Sequence, residues 1–156
     1  MACFVAIFSP LTLQAAPFMQ QVSTTSFGAN IAISTGTCEL AHDTSILTNL
    51  SGLVCTTTSG AGRGHYKVYA TPNTTVRIVV KPHNDSGDGV IFAPDGVIFS
   101  DSVADIAFIE NATTNIDSGT SGIIDIYVGG VLTLISKQST TTTTNFFYEI
   151  DFSEIP

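Results

Sequence analysis

Apolar and polar residues alternate with a period of two along most of the chain. No stretch of helical length has apolar residues spaced at i, i+3, i+4 and i+7. Such alternation is typical of strands that bury one face and expose the other to solvent. It predicts strands at 26–33, 52–58, 64–70, 75–82, 89–92, 96–99, 104–111, 122–128, 130–136 and 145–152. The chain is therefore predicted to be an all-β protein.

The last predicted strand, residues 145–152, shows the alternation most clearly. Every second residue from Phe146 to Phe152 is apolar, and Glu149 and Asp151 have the opposite parity. Phe147 is the exception, because it is a large apolar residue on the polar side. The pattern predicts a buried face and a solvent-exposed face in this strand.

Turn-forming residues stand between several of the predicted strands and predict hairpins. These are TPNT at 71–74, Ala93-Pro94-Asp95-Gly96, and the pair Gly129-Gly130. The second turn lies inside DGVIFAPDGVIFSD, which contains GVIF twice. Proline fixes φ at the first corner of a turn and glycine accepts a positive φ after it. The two GVIF copies are thus predicted to be the two arms of one hairpin, each with Val and Phe on one face and Ile on the other.

Many short strands at regular spacing favour an antiparallel two-sheet sandwich of immunoglobulin-like or pilin-like type. A closed barrel is the alternative. With 156 residues, the chain is long enough for one domain with a substantial core.

The beginning of the chain resembles a secretory signal. MACFVAIFSPLTLQAAPF is an apolar run followed by small residues, and the first charged residue is Glu39. We predict a signal peptide at 1–16, truncated at its start because a positive flank is missing, then an N-terminal arm at 17–25 and a single domain at 26–156. The alternative is a buried first strand, which Pro10 and Pro17 would interrupt. The apolar run is shorter than the roughly 20 residues that span a bilayer, so the protein is not expected to be membrane-embedded.

Two cysteines remain after the predicted signal, Cys38 and Cys55. In an oxidising compartment they are predicted to form a disulfide, worth roughly 3 kcal/mol for a loop of this size. Two buried thiols are the alternative. Two cysteines without a CxxC partner do not supply four metal ligands.

The charge of the chain argues against nucleic acid as a partner. Its formal net charge is -8, and only 12% of its residues are charged. Such a protein repels phosphate backbones and anionic lipid surfaces.

One segment partly matches a calcium loop. Counted from Asn84, the oxygen-bearing residues Asn84, Ser86 and Asp88 occupy places one, three and five, and Asp95 occupies place twelve. The first ligand is a neutral amide, and an aspartate replaces the usual bidentate glutamate. The structural alternative is an exposed turn followed by the GVIF hairpin. No other cofactor is indicated.

No residue set names a catalytic reaction. His42, His65 and His83 have no nucleophile motif beside them, and GxSxG and HExxH are both missing from the sequence. His65 is predicted to be a strand-face residue, while His42 and His83 are predicted to lie in loops. We therefore expect a protein without enzymatic activity.

A family resemblance is carried by three segments, GHYKVYATPNTTVRIVVKP, IDIYVGGVLTLISKQ and NFFYEIDF. With Phe27-Gly28, they resemble an exported bacterial pilin-like β-sandwich family catalogued as a domain of unknown function. The resemblance covers most of residues 26–152 and implies export to the periplasm or cell surface of a Gram-negative bacterium. It implies no catalytic residue. The chain departs from the family at TTTTTNFF and in its cysteine pair.

Together these observations predict a secreted or cell-surface protein with a structural or adhesive role. A fimbrial, pilin-like subunit is one protein of this class. Residues 17–25 could then be a donor arm that pairs with another copy or another surface subunit, with Phe18, Gln20 and Val22 on one face. The alternatives are an ordinary first strand or a frayed end. The alternative function is an extracellular calcium- or carbohydrate-binding module that uses the loops around 83–95.

Overall fold

The structure of the chain is a computed structural model, and it describes residues 17–28, 34–56, 59–83, 89–138 and 146–156. The strands in these ranges are β1 (Phe18–Ser23), β2 (Ser26–Phe27), β3 (Gly36–Leu40), β4 (Leu47–Ser51), β5 (Ala61–Gly62), β6 (Gly64–Tyr69), β7 (Thr75–His83), β8 (Val90–Ser100), β9 (Ile106–Ile109), β10 (Thr113–Asp117), β11 (Ile123–Leu134) and β12 (Phe147–Glu154). No helix long and apolar enough to cross a membrane occurs in these ranges.

Seven of the strands form one antiparallel sheet around β11. One edge of β11 pairs with β8 over Ile124–Leu134, and β6 and β3 share its other edge. The outermost strands are β1, β4 and β9, which lie beside β6, β3 and β8. A three-stranded antiparallel sheet has the order β10-β7-β12, and the short strands β2 and β5 pair with each other.

Two clusters of buried side chains form the core. The larger core cluster lies between the two sheets and consists of Tyr66, Val68, Val76, Ile78, Val80, Ile98, Phe108, Ile116, Ile124, Ile126, Val128 and Ile150. The smaller core cluster lies toward the other end of β8 and β11 and consists of Phe27, Cys38, Leu40, Val54, Cys55, Val90, Phe92, Leu132 and Leu134. Sheets that pack face to face through such clusters make the fold an all-β sandwich, as predicted.

The predicted GVIF hairpin is wrong. Residues 90–100 form one strand, β8, which pairs without interruption with β11. Proline lacks an N–H and is tolerated in a strand where that position needs no partner. On the second edge of β8, β9 pairs only with residues 95–98, so Pro94 lies just beyond the paired stretch. Glycine is required at position 96 because a Cβ there would overlap the Phe108 ring and the Tyr127 carbonyl oxygen.

The predicted hairpin at Gly129-Gly130 is also wrong, because both glycines lie inside β11. They mark the point where the neighbour of β11 changes from β6 to β3. A Cβ on Gly129 would overlap the Leu40 carbonyl oxygen, so the close approach of β3 requires glycine here. In the register of the sheet, Gly129 faces Asp95 and Gly130 faces Pro94. Two sequences that resemble turns thus lie opposite each other in the middle of a ladder.

The TPNT segment does form a turn, but it does not close a hairpin. It connects β6 in the larger sheet to β7 in the smaller one. Asn73 adopts a positive φ of 56°, and its N–H donates to the Gly119 carbonyl. The turn is therefore held by the 118–119 loop and crosses between the sheets.

The early part of the domain differs from the predicted strands. The structure has strands at Gly36–Leu40 and Leu47–Ser51, which the alternation did not predict, while 52–53 form a bend. Most side chains of β4 are exposed, so this edge strand carries little apolar alternation. Residues 29–33 of the predicted strand 26–33 lie outside the described residues. The predicted signal peptide at 1–16 also lies outside them.

The predicted disulfide between Cys38 and Cys55 is present, with 6.0 Å between the two Cα atoms. The side chain of Asn49 closes the loop beside it. Its Oδ1 accepts from the N–H groups of Val54 and Cys55 at 2.9 and 2.8 Å, and its Nδ2 donates to the Cys55 carbonyl at 2.8 Å. Together the disulfide and the Asn49 side chain fix residues 54–55 over the smaller core cluster.

Candidate functional site

The candidate site lies on the side of the larger sheet that faces away from both core clusters, called here the outer face. In β6, β8 and β11 the even-numbered side chains point to the core, so the odd-numbered ones form this face. Its residues are half-buried, unlike the mostly exposed side chains of β4. The outer face is therefore a surface with closely packed side chains.

Three rings and a guanidinium group meet near the middle of this face. The Tyr127 ring lies 4.5 Å from the His65 ring and 5.6 Å from the Phe99 ring, measured between centroids. The guanidinium carbon of Arg63 lies 3.7 Å from the Tyr127 centroid. Strand register explains the grouping, because Tyr127 pairs with His65 on one side and with Val97 on the other.

Arg63 is fixed by the loop between β3 and β4. Its Nη1 donates to the carbonyl oxygens of His42 and Asp43 at 2.8 and 2.9 Å. Its backbone N–H donates to the Ser45 hydroxyl at 3.2 Å. The loop and the Tyr127 ring together define the position of the guanidinium group.

A trio of polar side chains lies next to the rings. The Nε2 atom of His65 lies 2.6 Å from an oxygen of Asp125, and the Lys67 ammonium lies 3.3 Å from the same oxygen. The side chains of His65 and Asp125 are each 18% exposed. Because His65 and Asp125 are largely withdrawn from water, their hydrogen bond and the ion pair to Lys67 hold the three side chains in place.

A second histidine and carboxylate pair lies at one end of the face. The Nδ1 atom of His42 lies 3.4 Å from an oxygen of Asp95. Burial raises the pKa of Asp95, and the hydrogen bond to His42 opposes this effect. Asp95 faces Gly129 across the ladder, at the point where the neighbour of β11 changes from β6 to β3.

The opposite end of the outer face carries a stacked ring pair. Phe18 of β1 and Tyr69 of β6 have centroids 4.6 Å apart and planes inclined by 12°. The Tyr69 hydroxyl donates to the Gln20 side-chain oxygen at 3.2 Å. From Arg63 to Tyr69 the face extends about 20 Å, at about 3.3 Å per strand residue.

The arrangement offers ring faces, donors and acceptors. Ser23 faces His65 in the β1–β6 register, and its hydroxyl donates to the Arg63 carbonyl at 3.0 Å. That hydroxyl is thus engaged with the backbone and not with the imidazole. The geometry is suited to holding a ligand by stacking and hydrogen bonding.

The predicted donor arm lies in the chain's own sheet. Phe18–Ser23 form the edge strand β1, which pairs with β6 of the same chain. Phe18 and Val22 are more than half exposed, and it is Met19 that packs against the larger core cluster. Exchange of this strand between copies stays a prediction.

The calcium prediction is only partly covered by the structure. Asn84, Ser86 and Asp88 lie outside the described residues. Asp95 lies in the middle of β8, where it pairs with His42. Among the residues that the structure describes, no group of three or more His, Cys, Asp or Glu side chains could hold a metal ion.

The histidines were placed correctly in two of three cases. His65 lies on a strand face and His42 lies in the loop after β3, as predicted, but His83 is the last residue of β7. The sequence did not indicate Arg63, Lys67, Phe99, Asp125 or Tyr127 as a set. The available signal was their shared odd parity within alternating segments. The two wrongly predicted hairpins hid this shared parity. They divided β8 and β11 into separate strands, whereas each is one continuous strand and the two pair with each other.

Comparisons with protein-family models, with curated proteins and with solved structures found no match. The functional interpretation therefore depends on the geometry of the outer face.

Proposed function

We propose that this chain is a secreted, adhesive β-sandwich protein that binds carbohydrate on the outer face of its larger sheet. The proposal unites the two functions that the sequence predicts, a surface adhesin and a carbohydrate-binding module. It moves the binding site from the loops around 83–95 to the strands β6, β8 and β11.

The disulfide supports a location outside the reducing cytoplasm. Disulfides persist in oxidising compartments, and the Cys38–Cys55 bond joins two segments of the smaller core cluster. A chain with this bond in its core is suited to the cell exterior.

The single observation that carries the proposal is the packing of rings and hydrogen-bonding groups around Tyr127. Sugar rings have apolar faces edged by hydroxyls, so they are recognised by aromatic faces flanked by donors and acceptors. Phe99 and His65 supply ring surface beside Tyr127. Lys67 and Asp125 supply a donor and an acceptor on the same face.

The test is binding of the purified, oxidised protein to immobilised oligosaccharides of neutral, carboxylated and sulfated types. We expect saturable binding to at least one type. Phe99→Ala and Tyr127→Ala should each weaken it at least tenfold, because the first removes ring surface and the second removes the ring against which Phe99, His65 and Arg63 pack.

Phe147→Ala is the matched control. Phe147 is 59% exposed and lies on β12 of the smaller sheet, so its removal deletes an exposed ring elsewhere. The control should bind as the unaltered protein does. Equal losses in Phe147→Ala and Tyr127→Ala, with thermal melts showing that both are folded, would contradict the proposal, as would failure to bind any of the three types.

A further inference from the structure

Arg63 has no acidic partner within the part of the chain that the structure describes. Lys67 pairs with Asp125 and Lys81 pairs with Asp151, but no Asp or Glu side chain lies within ion-pair distance of the Arg63 guanidinium. In the same part of the chain Arg77 and Lys137 also have none, but both are exposed, whereas Arg63 is half-buried. A partly buried cation without a counter-charge is costly unless a ligand supplies one.

The guanidinium group is also held in a fixed position. Two carbonyl oxygens accept from its Nη1, and its central carbon lies over the Tyr127 ring. A guanidinium has five N–H donors, so the two contacts through Nη1 leave Nη2 and Nε available. An arginine held in this way loses little side-chain entropy when it binds an anion.

We propose that the outer face binds an acidic saccharide, with a sugar carboxylate on Arg63 and the sugar rings along Phe99 and the Lys67–Asp125 pair. This inference rests on the proposed function and specifies its ligand class. The planar guanidinium matches the two oxygens of a carboxylate, and the bond is charge-assisted.

The cations of this acidic chain support an anionic ligand at this place. Arg63 and Lys67 lie on or beside the outer face, while Arg77 and Lys81 lie on the smaller sheet. On the outer face, Lys67 pairs with Asp125, and Arg63 has no acidic partner among the described residues. The charge is therefore complementary to a single anionic group positioned next to the ring cluster.

The test uses calorimetric titration with tetragalacturonate and with its fully methyl-esterified form, at one fixed salt concentration. Methyl esterification removes the carboxylate charge and keeps the sugar ring. For the unaltered protein we expect the acid to bind at least tenfold more tightly than the ester. The third arm of the test is an oligosaccharide of the same length that carries sulfate groups and no carboxylates.

The variants are Arg63→Gln, Arg63→Lys and the control Arg77→Gln. Arg63→Gln should lose the preference for the acid, and Arg63→Lys should retain part of it, because the charge stays while the planar fork is lost. Arg77→Gln removes the same charge from the exposed face of the smaller sheet and should change the affinity less than twofold. The ester comparison needs no variant, so it remains decisive if Arg63→Gln does not fold.

Each outcome has a defined meaning. Equal affinity for acid and ester overturns the acidic-ligand inference, although binding that still depends on Tyr127 and Phe99 leaves the proposed function standing. Tighter binding of the sulfated sugar overturns the choice of carboxylate. Equal losses in Arg63→Gln and Arg77→Gln indicate a diffuse charge effect and overturn the site. Failure of every saccharide to bind overturns both proposals.

Discussion

The two GVIF segments, residues 89–92 and 96–99, have the same four letters and opposite roles. In the first copy Val90 and Phe92 are buried in the smaller core cluster. In the second copy it is Ile98 that is buried, in the larger core cluster, while Phe99 contacts Tyr127 on the outer face. The copies are offset by seven residues, an odd number, and side chains alternate along a strand with a period of two. Identical local sequence therefore does not determine which face is buried when the strand runs through both copies.

The largest expected effect comes from changing the offset between the copies. Deletion of Ala93 would make the offset even, so it would move either Val90 and Phe92 or Ile98 to the wrong face. We expect no cooperative unfolding transition in urea for this variant. Insertion of one glycine between the exposed residues Ala104 and Asp105 is the control, because it lengthens a connection outside the ladder. A deletion variant as stable as the control would contradict a continuous β8.

The second largest expected effect is the difference in stability cost between replacing Phe92 and replacing Phe99, the phenylalanines of the two copies. Phe92 is 1% exposed and contacts the Phe27 and Phe146 rings, at centroid distances of 5.8 and 4.5 Å. Phe92→Ala should lower the free energy of unfolding by about 3–5 kcal/mol through lost burial and a cavity. Phe99→Ala, on the half-buried outer face, should cost less than about 1.5 kcal/mol. Urea denaturation measures both, and equal costs would show that the second copy is buried as deeply as the first.

Removal of the disulfide should weaken the end of the molecule that holds the first copy. Replacing Cys38 and Cys55 together by alanine should cost roughly 3 kcal/mol, because the bond restricts a loop of 17 residues in the unfolded chain. Amide hydrogen exchange should then accelerate more at Leu40 and Leu132, in the smaller core cluster, than at Ile124 and Ile126 in the larger one. A uniform acceleration would indicate that both clusters unfold as one unit.

Asn49 provides a smaller perturbation at the same end. Asn49→Ala removes one acceptor and one donor that together bond three backbone groups of residues 54–55. We expect a loss of about 1–3 kcal/mol in the free energy of unfolding, since those backbone groups are part-buried. Asn115→Ala, an exposed position on β10, serves as the control and should change it by less than about 0.5 kcal/mol. A loss no larger than that of the control would show that the side chain is not needed to close the loop.

The smallest effect concerns Asp95, which lies between the two copies. Burial raises its pKa in the folded protein above the ordinary value of 3.8. A raised pKa means that the folded state binds the proton more tightly, so this contribution to stability is present below pH 3.8 and is lost as the pH rises through the folded pKa. Asp95→Asn, which cannot titrate, should therefore gain stability relative to the unaltered protein as the pH rises from about 3 to about 7. Urea midpoints at both pH values measure this, and an opposite trend would show that the His42 contact outweighs burial.

Much of the strand content followed from the alternation, and its failures have a common cause. The segments GHYKVYA and TVRIVVKP were located well, and the parity of the last strand, with Phe147 exposed, was also correct. Proline, aspartate and glycine at 94–96 and the glycine pair at 129–130 have the chemistry of turns. In this fold they are instead positions where backbones approach closely, and that requirement comes from strands distant in sequence.

The outer face could not be predicted for the same reason. His65 and Asp125 are separated by 60 residues, and they meet because β6 and β11 pair in one particular register. Shared parity within each strand was visible in the sequence, but which strands are neighbours was not. Arg63 is positioned by the loop at 42–45, whose approach depends on the path of β3 past Gly129.

By itself the sequence determined that most of the chain would form strands with alternating faces, and that two cysteines could pair, because these depend on side-chain order and chain chemistry. Only the tertiary structure decided that two turn-like segments lie opposite each other inside long strands, and which parity faces the core. The physical reason is that a ladder fixes register through backbone hydrogen bonds between distant residues, and these bonds carry no signature in local sequence.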